Sequence, residues 1–193
     1  WDTATPYHVS SDFYAQDAFL HGKSSLNDIE LRLLGDIRGK KILHLQCHFG
    51  QDSLSLQRMG ALVTGVDFSE VAIRQATDTA LALGLDTKFV KSDIYSLPEI
   101  LHESFDMVYT GYGVLGWLPD MQRWSDVIAH FLKPDGKLVL VEFHPALWML
   151  DSEFRQIGYD YFNTAPIIET EAGTYADRSA PMRQETISWN HPL

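Results

Sequence analysis

Residues 41–67 read KILHLQCHFGQDSLSLQRMGALVTGVD, and this stretch decides the fold. Ile42, Leu43 and Leu45 make a short apolar run and Gly50 supplies a permissive turn. Leu54, Met59 and then residues 62–66 carry the chain through a helix into a second buried strand. Asp67 closes the unit about 20 residues after the first turn, where a carboxylate can accept both hydroxyls of a ribose. Strand, tight turn, helix, strand and terminal acid is how a nucleotide-like cofactor is held.

Working outward, Leu26, Ile29, Leu33 and Ile37 recur at helical spacing, with Ser24 or Ser25 as N-cap and Gly39 beyond the end. Residues 1–23 show no period but carry Trp1, Tyr7, Phe13, Tyr14 and Phe19, an aromatic arm expected to pack on or over the domain. Downstream, a helix from Gln51 stops at Gly60, and residues 61–66 form the second strand. Ser69 caps the next helix, whose Val71, Ile73, Ala76, Ala80 and Leu83 face the core until Gly84. Further strands are predicted at 87–91 and 105–110, then a helix at 124–132 presenting Trp124, Val127, Ile128 and Phe131. A KPDG turn at 133–136 leads to a fifth strand at 137–143.

Strands alternating with helices imply right-handed crossovers and an α/β, Rossmann-like domain with a mostly parallel central sheet and helices on both faces. Beyond Pro145 the alternation fades into a Tyr- and Phe-rich segment at 154–162, then paired strands at 167–170 and 185–189. The reading is one domain over 1–193: an arm at 1–23, a cofactor-binding core at 24–145 and a substrate-side excursion at 146–193.

The chain has 193 residues, 45% hydrophobic, enough for one sizeable core. A net charge of -11 disfavours a nucleic-acid partner, whose phosphates call for clustered Lys and Arg. A small-molecule substrate is expected. The single cysteine, Cys47, excludes an internal disulfide and makes a cytoplasmic setting the default. The most apolar stretch, 138–150, is broken by Glu142, His144 and Pro145, too short and polar to span a bilayer. The start at Trp1 and the stop at Leu193, just after a strand-like ETISW, are consistent with a fragment. Sequence leaves the oligomeric state open.

In an open parallel sheet, ligands bind beyond the carboxyl ends of the strands where strand order reverses. That directs attention to 46–50, 67–68, 93–94, 109–113 and His144. Here the chain resembles the class I S-adenosylmethionine-dependent methyltransferases over about residues 26–145. LHLQCHFG stands where that family has a glycine-rich loop, VTGVDFS matches its ribose-binding strand end, and KSDIYSLP its adenine-side acid. FDMVYT and LKPDGKLVLVEFHP look like its fourth strand and the turn into the fifth. The family loop reads Asp-x-Gly-x-Gly-x-Gly; the matching positions here are His44, Gln46, His48 and Gly50, so only the last glycine is kept.

The resemblance implies S-adenosylmethionine as cofactor and a small-molecule methyl acceptor. By it, Asp67 binds the ribose, Phe68 lies on the adenine, Asp93 accepts from the adenine amino group and Ile94 packs nearby. Gln46, Cys47, His48 and Gly50 surround the methionine part, and Tyr109 and Thr110 face the sulfonium, which is drawn to aromatic faces. The acceptor is expected over Tyr112, Trp117 and His144, beneath the arm and the 154–162 segment, with Tyr112 and His144 as candidate catalytic groups.

Plainer readings stand beside these. Asp67 and Asp93 suit helix caps or Asx turns, Tyr109 a strand interior, and His144-Pro145 a turn. His44, Cys47 and His48 lack the further ligand a zinc site needs, so no metal is expected. Cys47 suits a small apolar filler. TGYG replaces the Asn-Pro-Pro-Tyr-like tetrapeptide of amino-methyltransferases after the fourth strand, which disfavours DNA bases. The alternatives are a non-catalytic module of the same fold and, with QCHFGQ a poor G-x-G-x-x-G, a nicotinamide-dependent oxidoreductase.

Overall fold

The computed structural model describes residues 1–151 and 154–193. Five parallel strands form the central sheet: β1 (Lys41–Leu45), β2 (Leu62–Asp67), β3 (Lys88–Lys91), β4 (Phe105–Gly111) and β5 (Leu132–Val141). Their spatial order is β3-β2-β1-β4-β5. The helices are α1 (Thr5–Ser10) and α2 (Gln16–Leu20) in the arm, then α3 (Asp28–Leu34), α4 (Gln51–Arg58), α5 (Glu70–Leu83) and α6 (Met121–Phe131). An antiparallel pair, β6 (Ile167–Ala172) and β7 (Arg183–Ser188), stands apart from the main sheet. The predicted α/β fold with its C-terminal strand pair is thus observed.

Alternation along β1 builds the two layers. Leu43 and Leu45 pack with Leu97, Val108, Trp124, Ile128 and Phe131 on one face, while Ile42 packs with Leu34, Ile37, Leu56 and Met107 on the other. Burying a side chain such as Ile128 or Phe131 contributes about 1.5–3 kcal/mol each. Local signals match their elements: Ser69 Oγ accepts from Ala72 N at the start of α5, and Asp120 Oδ1 from Arg123 N at the start of α6.

Two expectations are corrected. The first helix ends at Leu34, because Gly35 takes φ 65°, and its buried face is Glu30 and Leu34, not Ile29 and Leu33, which are 48% and 50% exposed. The face is rotated by one residue. The fifth strand includes the KPDG segment and ends at Val141: Phe105 pairs with Leu132, and regular pairing resumes from Met107 with Lys137, with Asp135 at φ 67° in the irregularity between.

Candidate active site

Beyond the carboxyl ends of β1, β2 and β4 the chain leaves in opposite directions, since β2 lies on one side of β1 and β4 on the other. This is the crevice where a ligand meets such a sheet. The turns around it are stitched together by backbone. Cys47 N donates to Val66 O at 2.9 Å, and Ser92 N donates to Asp67 O at 3.0 Å. His48 N donates to Asp67 Oδ2 at 2.8 Å. Residues 46–50, 67–68 and 92–94 therefore form one continuous rim.

The first turn keeps a glycine-like path without its glycines. Gln46 has φ 56°, His48 φ 51° and Gly50 φ 83°. A left-handed residue bearing a Cβ costs about 1–2 kcal/mol, so two such residues in one turn are strain held by their surroundings. Gln46 Nε2 donates to Val114 O at 3.0 Å, tying the turn to the loop after β4. The His48 ring nitrogen Nε2 lies 2.7 Å from Nδ1 of His8 in the arm. Burial pushes the His48 pKa down to about 3 and that of His8 to about 4, so both imidazoles are neutral near pH 7. Cys47 is buried, and burial, together with Asp67, pushes its thiol up. Gly50 is required by packing as well as by φ: a Cβ there would lie 2.7 Å from Phe89 Cζ and 2.8 Å from Ala76 Cβ.

Asp67 is the junction of the rim. Its Oδ1 accepts from Ser69 N at 2.9 Å and its Oδ2 from His48 N, which leaves lone pairs on both oxygens for a diol. Burial pushes its carboxyl up, while the backbone N–H bonds of Ser69 and His48 pull the other way. Phe68 is 54% exposed beside it. Asp93 is exposed and its Oδ1 accepts from Tyr95 N at 2.9 Å, while Ile94 belongs to the core.

Two residues expected at the sulfonium are enclosed instead. Tyr109 and Thr110 are fully buried: the Tyr109 hydroxyl donates to Asp52 Oδ2 at 3.3 Å, and Thr110 Oγ1 to Leu45 O at 3.2 Å. Neither presents its side chain at the rim. Tyr109 lies with Met107 on the α3 face of the sheet, opposite Phe105 and Val108. His144 is exposed, and its Nδ1 accepts from Ala146 N at 3.2 Å, capping a short 3-10 turn. Tyr112, at φ 53°, has its hydroxyl 3.4 Å from Asn27 Nδ2.

Asp2, Tyr175 and the role of Glu142 escaped the sequence reading. Glu142 takes four backbone donors: Gly113 N (2.5 Å) and Phe143 N (2.7 Å) on Oε1, Val114 N (2.7 Å) and Leu115 N (3.0 Å) on Oε2. It fixes the loop after β4, and the only signal was an acid ending an apolar strand. Trp1 packs edge-on against His48, Trp117 and Tyr175, and the Tyr14 and Tyr175 hydroxyls are hydrogen-bonded. Asp2 Oδ1 accepts from Ser69 Oγ at 2.6 Å and Val71 N at 3.3 Å. The arm therefore covers the rim together with the turn after β6. The 154–162 segment was expected there, but Phe154 and Phe162 are 57% and 71% exposed, and Asn190 Nδ2 and Leu193 N instead hold Tyr161 from the C-terminal end.

A five-stranded parallel sheet in this order, with an acid closing β2 and a left-handed turn closing β1, defines a nucleotide-type Rossmann-like domain of the methyltransferase kind. Known proteins agree. The methyltransferase domain family matches residues 42–136. A ubiquinone biosynthesis O-methyltransferase of Photorhabdus laumondii is 34% identical over 161 residues, covering 82% of this chain and 63% of that protein. One from Shewanella is 33% identical over 115 residues, covering 58% and 48%. The chain thus spans less than two thirds of the length of these relatives. A solved S-adenosylmethionine-dependent methyltransferase of Methanosarcina mazei is 32% identical with TM-score 0.54, over 62% of this chain and 59% of that one. The DhpI–SAH complex shares the fold at 16% identity, TM-score 0.61, over 99% and 76%. Over these spans the chain is similar to S-adenosylmethionine-dependent methyltransferases.

Proposed function

We propose that this chain transfers a methyl group from S-adenosylmethionine to a small molecule. The observation that carries this is the His48 N–H bond to Asp67 Oδ2, which joins a left-handed turn to the strand-end acid at the switch point. The residues fit the cofactor: Asp67 keeps free lone pairs for the ribose, Phe68 offers an exposed ring for the adenine, and exposed Asp93 can accept from its amino group. Ile94 backs that end, while Gln46, Cys47, His48 and Gly50 give the methionine end a glycine-like backbone.

Bound there, the cofactor supplies an electrophilic methyl, and the chain's task is alignment and exclusion of water. Trp1, Tyr14 and Tyr175 exclude water, and the acceptor lies against Trp117 and Tyr112. Neither candidate base suits proton removal. Burial and then Glu30 push the Tyr112 hydroxyl up, so it keeps its proton and orients an acceptor oxygen. The His144 Nδ1 is taken up by the backbone N–H of Ala146. An acceptor that ionises readily fits this site, and the O-methyltransferase relatives support an oxygen acceptor.

Residues 1–193 act as one domain in this reading. The net charge of -11 supports an acceptor other than nucleic acid, and the lone cysteine supports a cytoplasmic setting. Among the described residues no helix is long and apolar enough to cross a membrane. Calorimetric titration with S-adenosylmethionine, its demethylated product and NAD tests the reading: heat with the first two and none with NAD is expected. NAD binding alone would sink it, and no heat at all would favour a non-catalytic module.

A further inference from the structure

The strand-end acid of the family motif is missing from this chain, and two carboxylates from other elements stand close by. His44 occupies the motif position, with Nδ1 2.7 Å from Ser53 Oγ. Burial pushes its pKa down to about 3, so it brings no charge. Glu30 reaches in from α3 and Asp52 from the first turn of α4. Asp52 Oδ2 accepts from the Tyr109 hydroxyl, and a Cβ on Gly111 would lie 3.1 Å from that same hydroxyl. The pair therefore sits at the carboxyl end of β4, beside the helix that continues the 46–50 turn.

Glu30 is 1% exposed. Its Oε1 accepts from Asn27 Nδ2 at 3.2 Å, but its Oε2 is buried with no hydrogen-bond partner among the described residues. No ion pair among those residues involves Glu30 or Asp52. Burial, and after it the charge of Glu30, raises the Asp52 carboxyl. A buried carboxylate oxygen left unpaired is unfavourable, because nothing replaces the water it has lost. A cation with several N–H donors would satisfy the free oxygen and relieve the repulsion between the two acids. A metal is the weaker choice, since no group of three His, Cys, Asp or Glu among the described residues is arranged to hold one.

We propose that Glu30, with Asp52 behind it, seats the α-ammonium of the methyl donor's amino-acid end, replacing the strand-end acid that His44 has displaced. This rests on the donor assigned above. The neighbouring Asn27 keeps the Glu30 carboxylate aimed, and α3 becomes part of the cofactor site.

The test is calorimetry on the full chain with S-adenosylhomocysteine and with 5′-methylthioadenosine, which keeps the adenosine and thioether but lacks the amino-acid end. Glu30→Gln is expected to weaken S-adenosylhomocysteine by about tenfold or more and to leave methylthioadenosine within about twofold. Asp52→Asn is expected to follow the same pattern less strongly. The thermal midpoint of ligand-free Glu30→Gln should hold or rise, because an unpaired buried charge has gone. Equal weakening of both ligands, a lowered midpoint with it, or undiminished S-adenosylhomocysteine binding would overturn the proposal. Failure of the unaltered chain to bind either nucleoside would instead remove the donor reading, and this seat with it.

Discussion

The turns after β1 and β2 are neighbours joined by one hydrogen bond, yet they are encoded in different ways. In the second, side chains do the work: Asp67 holds two backbone N–H groups and Ser69 caps α5. In the first, the backbone does it, through left-handed Gln46, His48 and Gly50, while the side chains are occupied elsewhere with Val114 and His8. A turn written in side-chain chemistry tolerates little change of residue type. One written in φ angles tolerates it wherever a neighbour can hold the strain.

The sharpest way to break this contrast is Gly50→Ala. It adds a Cβ in a left-handed position between Phe89 and Ala76, and a loss of about 3 kcal/mol or more is expected in urea unfolding. A loss below about 1 kcal/mol would mean that the turn is not held rigidly. Next comes Asp67→Asn, which presents an N–H₂ to groups that already donate; about a 100-fold fall in affinity for S-adenosylhomocysteine is expected by calorimetry. Unchanged affinity would move the ribose away from this acid.

Acidity separates the two turns as well. The folded-state pKa values of His44, His48 and His8, about 3, 3 and 4, lie below the ordinary 6.5. The unfolded chain therefore binds more protons in that window, and stability is full above 6.5 and is lost as pH falls toward the folded values. His48→Gln should remove about 1.4 kcal/mol of that dependence per pH unit, read from urea midpoints between about pH 5 and pH 6. A slope equal to that of the parent would place the sensitivity elsewhere. Smallest of all is Gln46→Gly, where relieved backbone strain of about 1 kcal/mol offsets a lost hydrogen bond of similar size. A large loss of stability there would show that the Val114 link outweighs the strain.

The strand and helix order was legible because each element of the core had its own local signal: apolar runs for β1, β2 and β5, Ser69 before α5, Gly84 after it. Asp67, Phe68 and Asp93 could be placed at the rim because they follow strand ends directly. Tyr109 could not be oriented, since both faces of β4 are buried, with Met107 and Tyr109 in one layer and Phe105 and Val108 in the other, so apolarity does not say which way each points. Glu30 was hidden by a one-residue rotation of α3: Ile29 and Leu33 make as good an apolar stripe on paper as Leu26, Leu34 and Ile37 make in the fold. A carboxylate turned into the fold reads as a solvated one until its surroundings are known, which also concealed the half-buried Glu142 and Asp52.

The indole rings of Trp1 and Trp117 meet edge to face, with centroids 5.3 Å apart and planes at 86°. At that spacing two identical chromophores share an excited state, and their non-parallel transition dipoles split it into bands of opposite rotational strength. Seating of the first residues over the rim is therefore written into the circular dichroism of the unlabelled chain, and lifting them off would erase the couplet while the sheet beneath kept its own spectrum.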